Sequence, residues 1–355
     1  MGGQKGIALF YQYLSALLPV TIICTKNNEL PNNLQAAFFP VLSNSKLRYI
    51  NPFLFFTIKN ILKKNNCTHL VLEHPYYGWL GYLLKCSCNI KLVVHSHNIE
   101  ALRFKSTGRW WWTILWKYEK FAYRKADIIF FITDEDRKFA LENFSLNPAK
   151  CYTITYGFEI SKIPSSQEKE EAKQQLRKLY QVNASEKILI FNGTLDYKPN
   201  LDAVDNILQY INPLLLANDD FKYKIIICGK GLPASYGELK SYATKNIIYA
   251  GFVDDINIYF KGADIFINPV TDGGGIKTKL VEALGHDLSV VSTKSGAIGV
   301  PLPVTGTKMC VENDGDWQSF AKAVFEVNTT VNTPPAFFDH FYWGNIAAKV
   351  KKIIA

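Results

Sequence analysis

Short apolar runs recur along the chain, separated by stretches in which apolar residues return every three or four positions. In the first half the runs are Val20–Thr25, His69–Leu72, Lys91–His95, Ile128–Thr133 and Cys151–Thr155. In the second half they are Lys187–Asn192, Lys224–Cys228, Ile247–Ala250, Ile265–Asn268, Ser289–Ser292 and Lys308–Val311. Several consist of unbroken Ile, Val and Phe with no polar alternation, as in strands of a parallel sheet buried on both faces by helices. The alternation of such runs with amphipathic helical stretches predicts an α/β chain of the doubly wound kind.

The pattern breaks near residues 157–170, which read GFEISKIPSSQEKE. Pro164, Ser165 and Ser166 have the composition of a linker, and a charged helical stretch follows. A chain of 355 residues also suits two domains. The expectation is therefore two Rossmann-like domains facing across a cleft, with ligands held outside the carboxyl ends of the strands.

Composition narrows the class. Hydrophobic residues make up 48% and charged residues 20%, which excludes a disordered chain. No apolar run approaches the roughly 18 residues of a membrane-spanning helix. The longest aromatic-apolar run is Phe53–Ile58. The first residues lack the order of a secretory signal, so the expected location is cytoplasmic. The seven cysteines include no CxxC pair and read as reduced thiols.

Charge is spread unevenly. Residues 1–160 hold 19 Lys and Arg against 10 Asp and Glu, a net of +9, whereas residues 161–355 hold 21 of each. The first half is thus suited to an anionic partner: a membrane surface, a phosphorylated acceptor or a nucleic acid. The neutral second half and the lack of any recognised binding module argue against nucleic acid. The stretch Arg109–Lys125 interleaves Trp110, Trp111, Trp112 and Trp116 with Lys and Arg. Such a helix suits an anionic bilayer and equally suits packing on a sheet with its basic face in water.

The segment Thr271–Leu284, TDGGGIKTKLVEAL, carries the clearest chemistry. Three glycines between a strand and a helix let backbone approach an anion closely, with helix N-terminal amides pointing at it. Lys277 and Lys279 add charge. Glu282 lies three residues after Lys279, on the same helix face, where a carboxylate can accept from both hydroxyls of a ribose. The plainer alternative is a glycine-rich turn with a solvated Lys–Glu pair.

This segment, extended to TDGGGIKTKLVEALGHDLSVVSTKSGAIGV, resembles the C-terminal signature of glycosyltransferase family 4, also called glycosyl transferases group 1. FNGTLDYKPNLDAVDNIL, KIIICGKG and IIYAGFVDDINIYFKGADIFINP are similar to family segments, in order and at fitting separations. VVHSHNIEALRF resembles the active-site loop of the first domain, and YWGNIAAKVKKI the C-terminal helix that crosses back to it. The resemblance implies the GT-B fold, with an acceptor-side domain over 1–158, a nucleotide-sugar-binding domain over 159–338 and the returning helix over 339–355. It also implies retaining transfer from a nucleotide diphosphate-sugar to a glycan or lipid-linked acceptor, in cell-envelope polysaccharide synthesis at the inner face of the membrane. No metal or resident cofactor is expected.

Residue by residue, the resemblance assigns catalytic roles to His97 and to Lys198, a diphosphate-binding cation. It assigns donor contacts to Gly193, Thr194, Gly229, Val253, Gly274, Gly275, Ile276, Lys279 and Glu282. The family motif has two glutamates; Glu282 matches the second and Gly274 stands in place of the first, so backbone N–H groups of Gly274, Gly275 and Ile276 take over its contacts. The family opens with a strand leading into a Gly-Gly loop. Here Gly2 and Gly3 stand at that loop, with a helix expected over Ile7–Leu18 and the first strand missing. A sugar-nucleotide epimerase or hydrolase on the same scaffold is the competing activity.

Other residues have readings of their own. His95 and His97 are two apart, as metal ligands can be, but no acidic third ligand stands out nearby in sequence. Glu73 and His74 end a strand, and Glu100 either serves the site or pairs locally. Asp134-Glu-Asp136 superficially offers a metal motif, yet Thr133 or Asp134 as a helix N-cap is the better reading, as is Asp254 or Asp255 for a later helix.

Overall fold

The computed structural model describes residues 2–30 and 34–355. The chain forms two compact units: residues 1–157 with 343–355, and residues 158–342.

The first unit opens with helix α1 (Gly2–Ser15), strand β1 (Val20–Thr25) and strand β2 (Ala36–Leu42). It continues through α2 (Leu54–Lys64), β3 (His69–Glu73), α3 (Gly78–Cys88), β4 (Lys91–Ser96), α4 (Glu100–Ser106), α5 (Trp112–Lys125), β5 (Ile128–Phe131), α6 (Asp134–Phe144) and β6 (Cys151–Thr153). Every strand pair is parallel, but the pairing falls into two pieces: β1-β2 alone, and β3-β4-β5-β6. Among the described residues no strand joins β1 to β3.

Strand β2 has no counterpart among the sequence expectations. Its Pro40 cannot donate to a ladder, so the run AAFFPVL reads as a broken one. The chain accommodates it at an irregularity, where the register passes from Ile23–Phe39 to Thr25–Leu42 and skips the proline. Helix α1 starts at Gly2, ahead of the expected Ile7, so Gly2 and Gly3 belong to its first turn rather than to a loop. Met1 lies outside the described residues.

The second unit is one six-stranded parallel sheet. Helix α7 (Ser166–Tyr180) leads in, followed by β7 (Lys187–Asn192) and α8 (Lys198–Asn206), which runs through a π-helical segment into α9 (Asn212–Leu216). Next come β8 (Tyr223–Cys228), β9 (Ile247–Gly251), α10 (Ile256–Gly262), β10 (Ile265–Asn268), α11 (Thr278–Gly285) and β11 (Ser289–Thr293). The short α12 (Leu302–Thr305), β12 (Met309–Glu312), α13 (Trp317–Glu326) and α14 (Pro335–Phe341) complete it. The strand order is β12-β11-β10-β7-β8-β9. The unbroken apolar runs are the buried strands: β10 and β11 are buried along their whole length, and β7 along its four central residues.

Local signals place the ends of these elements. Ser165 caps α7, and Glu168 returns the bond to the Ser165 amide, closing a capping box directly after Pro164. Thr133 caps α6 by accepting from the Asp136 N–H, and Asp255 caps α10. The DED triplet is therefore a helix start.

The last helix, α15 (Trp343–Ile354), belongs to the first unit. It packs on α1, with the Trp343 ring 6.2 Å from Phe10 and 5.5 Å from Tyr156. Gly157 makes room for this ring, since a Cβ there would sit 2.3 Å from the indole.

Candidate functional site

In the second unit the chain lays down β7, β8 and β9 in one direction, then returns to place β10 on the other side of β7. The order reverses between β7 and β10, and in doubly wound sheets ligands bind outside the carboxyl ends of the strands at such a point. Two loops flank it: residues 193–197 after β7 and residues 269–277 after β10.

The loop after β7 is locked to the loop after β8. A Cβ on Gly229, whose φ is +148°, would lie 1.8 Å from the Gly193 carbonyl oxygen. The Gly193 N–H donates to the Cys228 carbonyl and the Leu195 N–H to the Lys230 carbonyl. The Asn200 side chain leaves no room for a Cβ on Gly193 and donates to the Thr194 carbonyl at 3.0 Å. The Tyr249 hydroxyl donates to the Gly229 carbonyl at 2.9 Å. Val253 is half-buried just beyond β9, between exposed Phe252 and the α10 cap.

The loop after β10 bends through Gly273 (φ +95°) and Gly275 (φ +72°), conformations that favour glycine. Gly274 between them does not need one. Lys277 ties the loop by donating to the Gly273 and Gly275 carbonyls. Lys277 is the N-cap of α11, whose first helical residue is Thr278. Gly274, Gly275 and Ile276 therefore precede the helix, and the amides of its first turn are those of Thr278 and Lys279. Behind the loop, Asn268 donates to Ser292 Oγ and to the Gly296 carbonyl, anchoring the end of β10.

Lys279 reaches from α11 to the end of β7. Its ammonium donates to the Asn192 carbonyl and to Asn200 Oδ1, each at 3.1 Å, and lies 4.2 Å from the centre of the Phe191 ring. Burial, with the Lys277 charge behind it, pushes the Lys279 amine down to about 7. The buried Asn192 Oδ1 has no hydrogen-bond partner among the described residues, so the site holds an unused acceptor as well as a desolvated amine. Glu282 follows one turn later on α11, half-buried. Lys198 is placed otherwise: its exposed ammonium pairs with Asp202 at 2.6 Å across one turn of α8. The strongly perturbed lysine of the two is Lys279.

The first unit carries a second cluster at the carboxyl ends of β3 and β4. Glu73 lies opposite His95 in the ladder, and His97 follows two residues on. Glu73 Oε1 is 3.2 Å from His95 Nδ1, and Glu73 Oε2 is 2.5 Å from His97 Nε2. The Tyr11 hydroxyl, from α1, donates to Oε1 at 2.6 Å. Burial acts to raise the Glu73 carboxyl, but the two imidazoles outweigh it and hold it well below the usual range. Burial and the Glu73 charge raise the Tyr11 hydroxyl. The His74 and His97 rings lie 4.6 Å apart, as do those of His95 and His97. His74 itself has a left-handed backbone, φ +69°.

The third ligand that the sequence did not offer is thus Glu73. One atom each of Glu73, His95 and His97 lie within 4.8 Å of one another, a set able to hold a metal ion.

Around this cluster, Glu100 accepts from Tyr76 and Arg103, with His74 Nδ1 at 3.5 Å. Burial opposes these contacts, but they pull the Glu100 carboxyl down to about 2. Glu119, from α5, accepts from the Glu100 and Ala101 amides at 2.8 Å each and so caps α4. Burial raises it to about 7. Sequence reading missed Glu119 and Tyr11; no spacing rule links either to its partner.

The profile described as Glycosyl transferases group 1 matches residues 186–329, and that described as Glycosyltransferase Family 4 matches residues 2–162. The chain belongs to the group 1, family 4 glycosyltransferases. An uncharacterized glycosyltransferase of Methanocaldococcus jannaschii, MJ1069, is 29% identical over 180 residues, 49% of this chain and 42% of that protein. The O-antigen biosynthesis glycosyltransferase WbnH of Escherichia coli is 23% identical over 273 residues, 76% of this chain and 70% of that protein. The crystal structure of Anabaena Alr3699/HepE in complex with UDP-glucose superposes with a TM-score of 0.69 at 16% identity, covering 100% of this chain and 96% of that one. The fold of this family member is GT-B, built from two Rossmann-like domains.

Proposed function

We propose that this protein is a retaining glycosyltransferase that moves a sugar from a nucleotide diphosphate-sugar to a glycan or lipid-linked acceptor in cell-envelope polysaccharide synthesis. The observation that carries the reading is Lys279, a desolvated amine in the same site as the unused Asn192 oxygen, at the switch point of the second unit. An amine held near neutrality by burial regains its proton when a diphosphate arrives, and so gains charge where charge is needed. The first-turn amides of α11 and the Lys277 ammonium add to the same field. Glu282 accepts from the ribose hydroxyls. The first unit supplies His97, held by Glu73, at the acceptor or donor sugar. The trio of Glu73, His95 and His97 acts as a hydrogen-bonded carboxylate–imidazole group, and transfer needs neither a metal nor a resident cofactor.

The names of its relatives support the reading: WbnH is an O-antigen biosynthesis glycosyltransferase, and Alr3699/HepE holds UDP-glucose.

The test is incubation with radiolabelled nucleotide sugars and extracts of lipid-linked and free glycan, with and without a chelator. Label is expected in an acceptor fraction, undiminished by the chelator. Lys279→Met and Glu282→Ala are expected to lose it while remaining folded. Label found only as free sugar or as an epimer would overturn the transferase reading. Lys198→Ala tests the exposed lysine separately: a loss of donor use is expected, with Lys198 exchanging Asp202 for the diphosphate, and full turnover would remove Lys198 from the site.

A further inference from the structure

The first unit carries 22 Lys and Arg against 9 Asp and Glu, a net of +13, whereas the second carries 18 against 22. The excess is concentrated in two stretches. Between Glu29 and Glu73 there are five Lys and Arg and no acid, and between Glu100 and Glu119 there are four and no acid.

The same stretches expose large apolar side chains. Leu47 is 68% exposed, Ile50 71%, Phe53 75% and Phe56 65%. They recur every third residue. Leu47 and Ile50 lie in a 3-10 turn, Lys46–Ile50, where residues three apart stand one above the other. Phe53 and Phe56 follow at the start of α2. They are not a core face: Leu54, Ile58, Ile61 and Leu62 of α2 point inward and are buried. The start of α2 is therefore apolar on both sides, and its outward side is exposed, with the Phe56 ring edge-on to its neighbour Phe55 at 5.4 Å. Exposed Lys46, Lys63 and Lys64 flank it. Helix α3 packs against both α2 and α5, and Trp110, just before α5, and Ile114, in its first turn, are 81% and 63% exposed among Lys105, Arg109 and Lys117.

We propose that Leu47, Ile50, Phe53 and Phe56 insert into an anionic lipid bilayer, with Lys46, Lys63 and Lys64 at the level of its headgroups. The chemistry favours lipid over a protein partner. Protruding aromatic and aliphatic side chains gain by burial in the acyl boundary, and the surrounding ammonium groups gain from anionic headgroups without being desolvated. The Trp110–Ile114 edge adds a second contact of the same kind. This inference rests on the reading of the acceptor as membrane-borne, and it identifies the segment that brings the enzyme to it.

The experiment is co-sedimentation of the whole chain with vesicles of mixed phosphatidylglycerol and phosphatidylcholine, and with vesicles of phosphatidylcholine alone. Binding to the mixed vesicles is expected, weakened by salt. Phe53→Ser with Phe56→Ser should weaken it by at least about tenfold, through loss of two buried rings. Lys63→Glu with Lys64→Glu should abolish the preference for phosphatidylglycerol. Both variants change exposed positions, and an unchanged melting temperature confirms their folding. Thermal stabilisation by UDP is expected to survive in both, so a failure at the membrane is distinguishable from a failure of the donor reading. No vesicle binding by the wild type, equal binding by the Phe53/Phe56 double variant, or a dimer in solution that this variant abolishes would each overturn the proposal.

Discussion

His97 Nε2 lies 2.5 Å from Glu73 Oε2, across the carboxyl ends of two neighbouring parallel strands. A carboxylate in that place fixes which imidazole nitrogen carries the proton and holds the ring in one orientation. Glu73→Gln keeps the shape but offers one acceptor where two are used. The expected outcome is a fall in kcat of about a hundredfold with little change in KM for the donor, as for the loss of a group that positions an acid or base. Unchanged kcat would show that the pair is structural.

Lys279 predicts a proton uptake. Its amine lies near 7 in the folded chain, and a bound diphosphate raises it by adding opposite charge. Above pH 7, donor binding must then draw a proton from solution, and affinity must fall as pH rises from about 7 toward the ordinary lysine range. Titration calorimetry of UDP at pH 8 in buffers of different ionisation enthalpy reads this directly. Lys279→Met should remove the uptake and weaken binding by roughly tenfold or more.

Glu119 predicts a pH dependence of stability. Its folded-state value of about 7 stands above the ordinary 4.5, so between these limits the folded chain binds more protons than the unfolded one. This group's contribution to stability is complete below about 4.5 and is lost as pH rises through 7, by on the order of 3 kcal/mol. Denaturant midpoints of wild type and Glu119→Gln, measured across that range, should diverge accordingly. Parallel curves would place the titration elsewhere.

Trp343 predicts a stability loss in the first unit. Its ring is 3% exposed and fills the space beside Gly157, Phe10 and Tyr156. Trp343→Ala should cost about 3–5 kcal/mol, seen as a lower chemical-denaturation midpoint. Gly157→Ala should show the same defect from the other side, because its Cβ has no room.

Much of the second unit was legible in the chain because its strands are unbroken apolar runs and its loops carry glycine. Lys187–Asn192 and Ile265–Asn268 are strands over those same residues. The start of α11 was less so: GGGIKTKLVEAL has helical periodicity from Ile276, but Lys277 spends its side chain on the loop carbonyls and the helix waits until Thr278. In the first unit β2 was hidden by Pro40. The Trp-rich segment divides as no composition argument could decide. Trp116 packs against Phe144, and Trp111 against Phe104, while Trp110 stands in solvent. The run Phe53–Ile58, too short to cross a membrane, has its most exposed ring at Phe53, and only the burial of its neighbours shows which of its residues face outward. Long-range pairs such as Tyr11–Glu73 and Glu119–Glu100 have no sequence signal, because nothing local dictates them.

The contact between Gly229 and the Gly193 carbonyl has a consequence for how binding energy is used. Loops that must settle around a ligand give up part of its affinity to their own ordering. Here the two loops are fastened to one another by main-chain hydrogen bonds. Their conformational freedom is surrendered once, when the chain folds. A donor would then meet a mould already set, and would keep for its own affinity the free energy that a looser site would have lost.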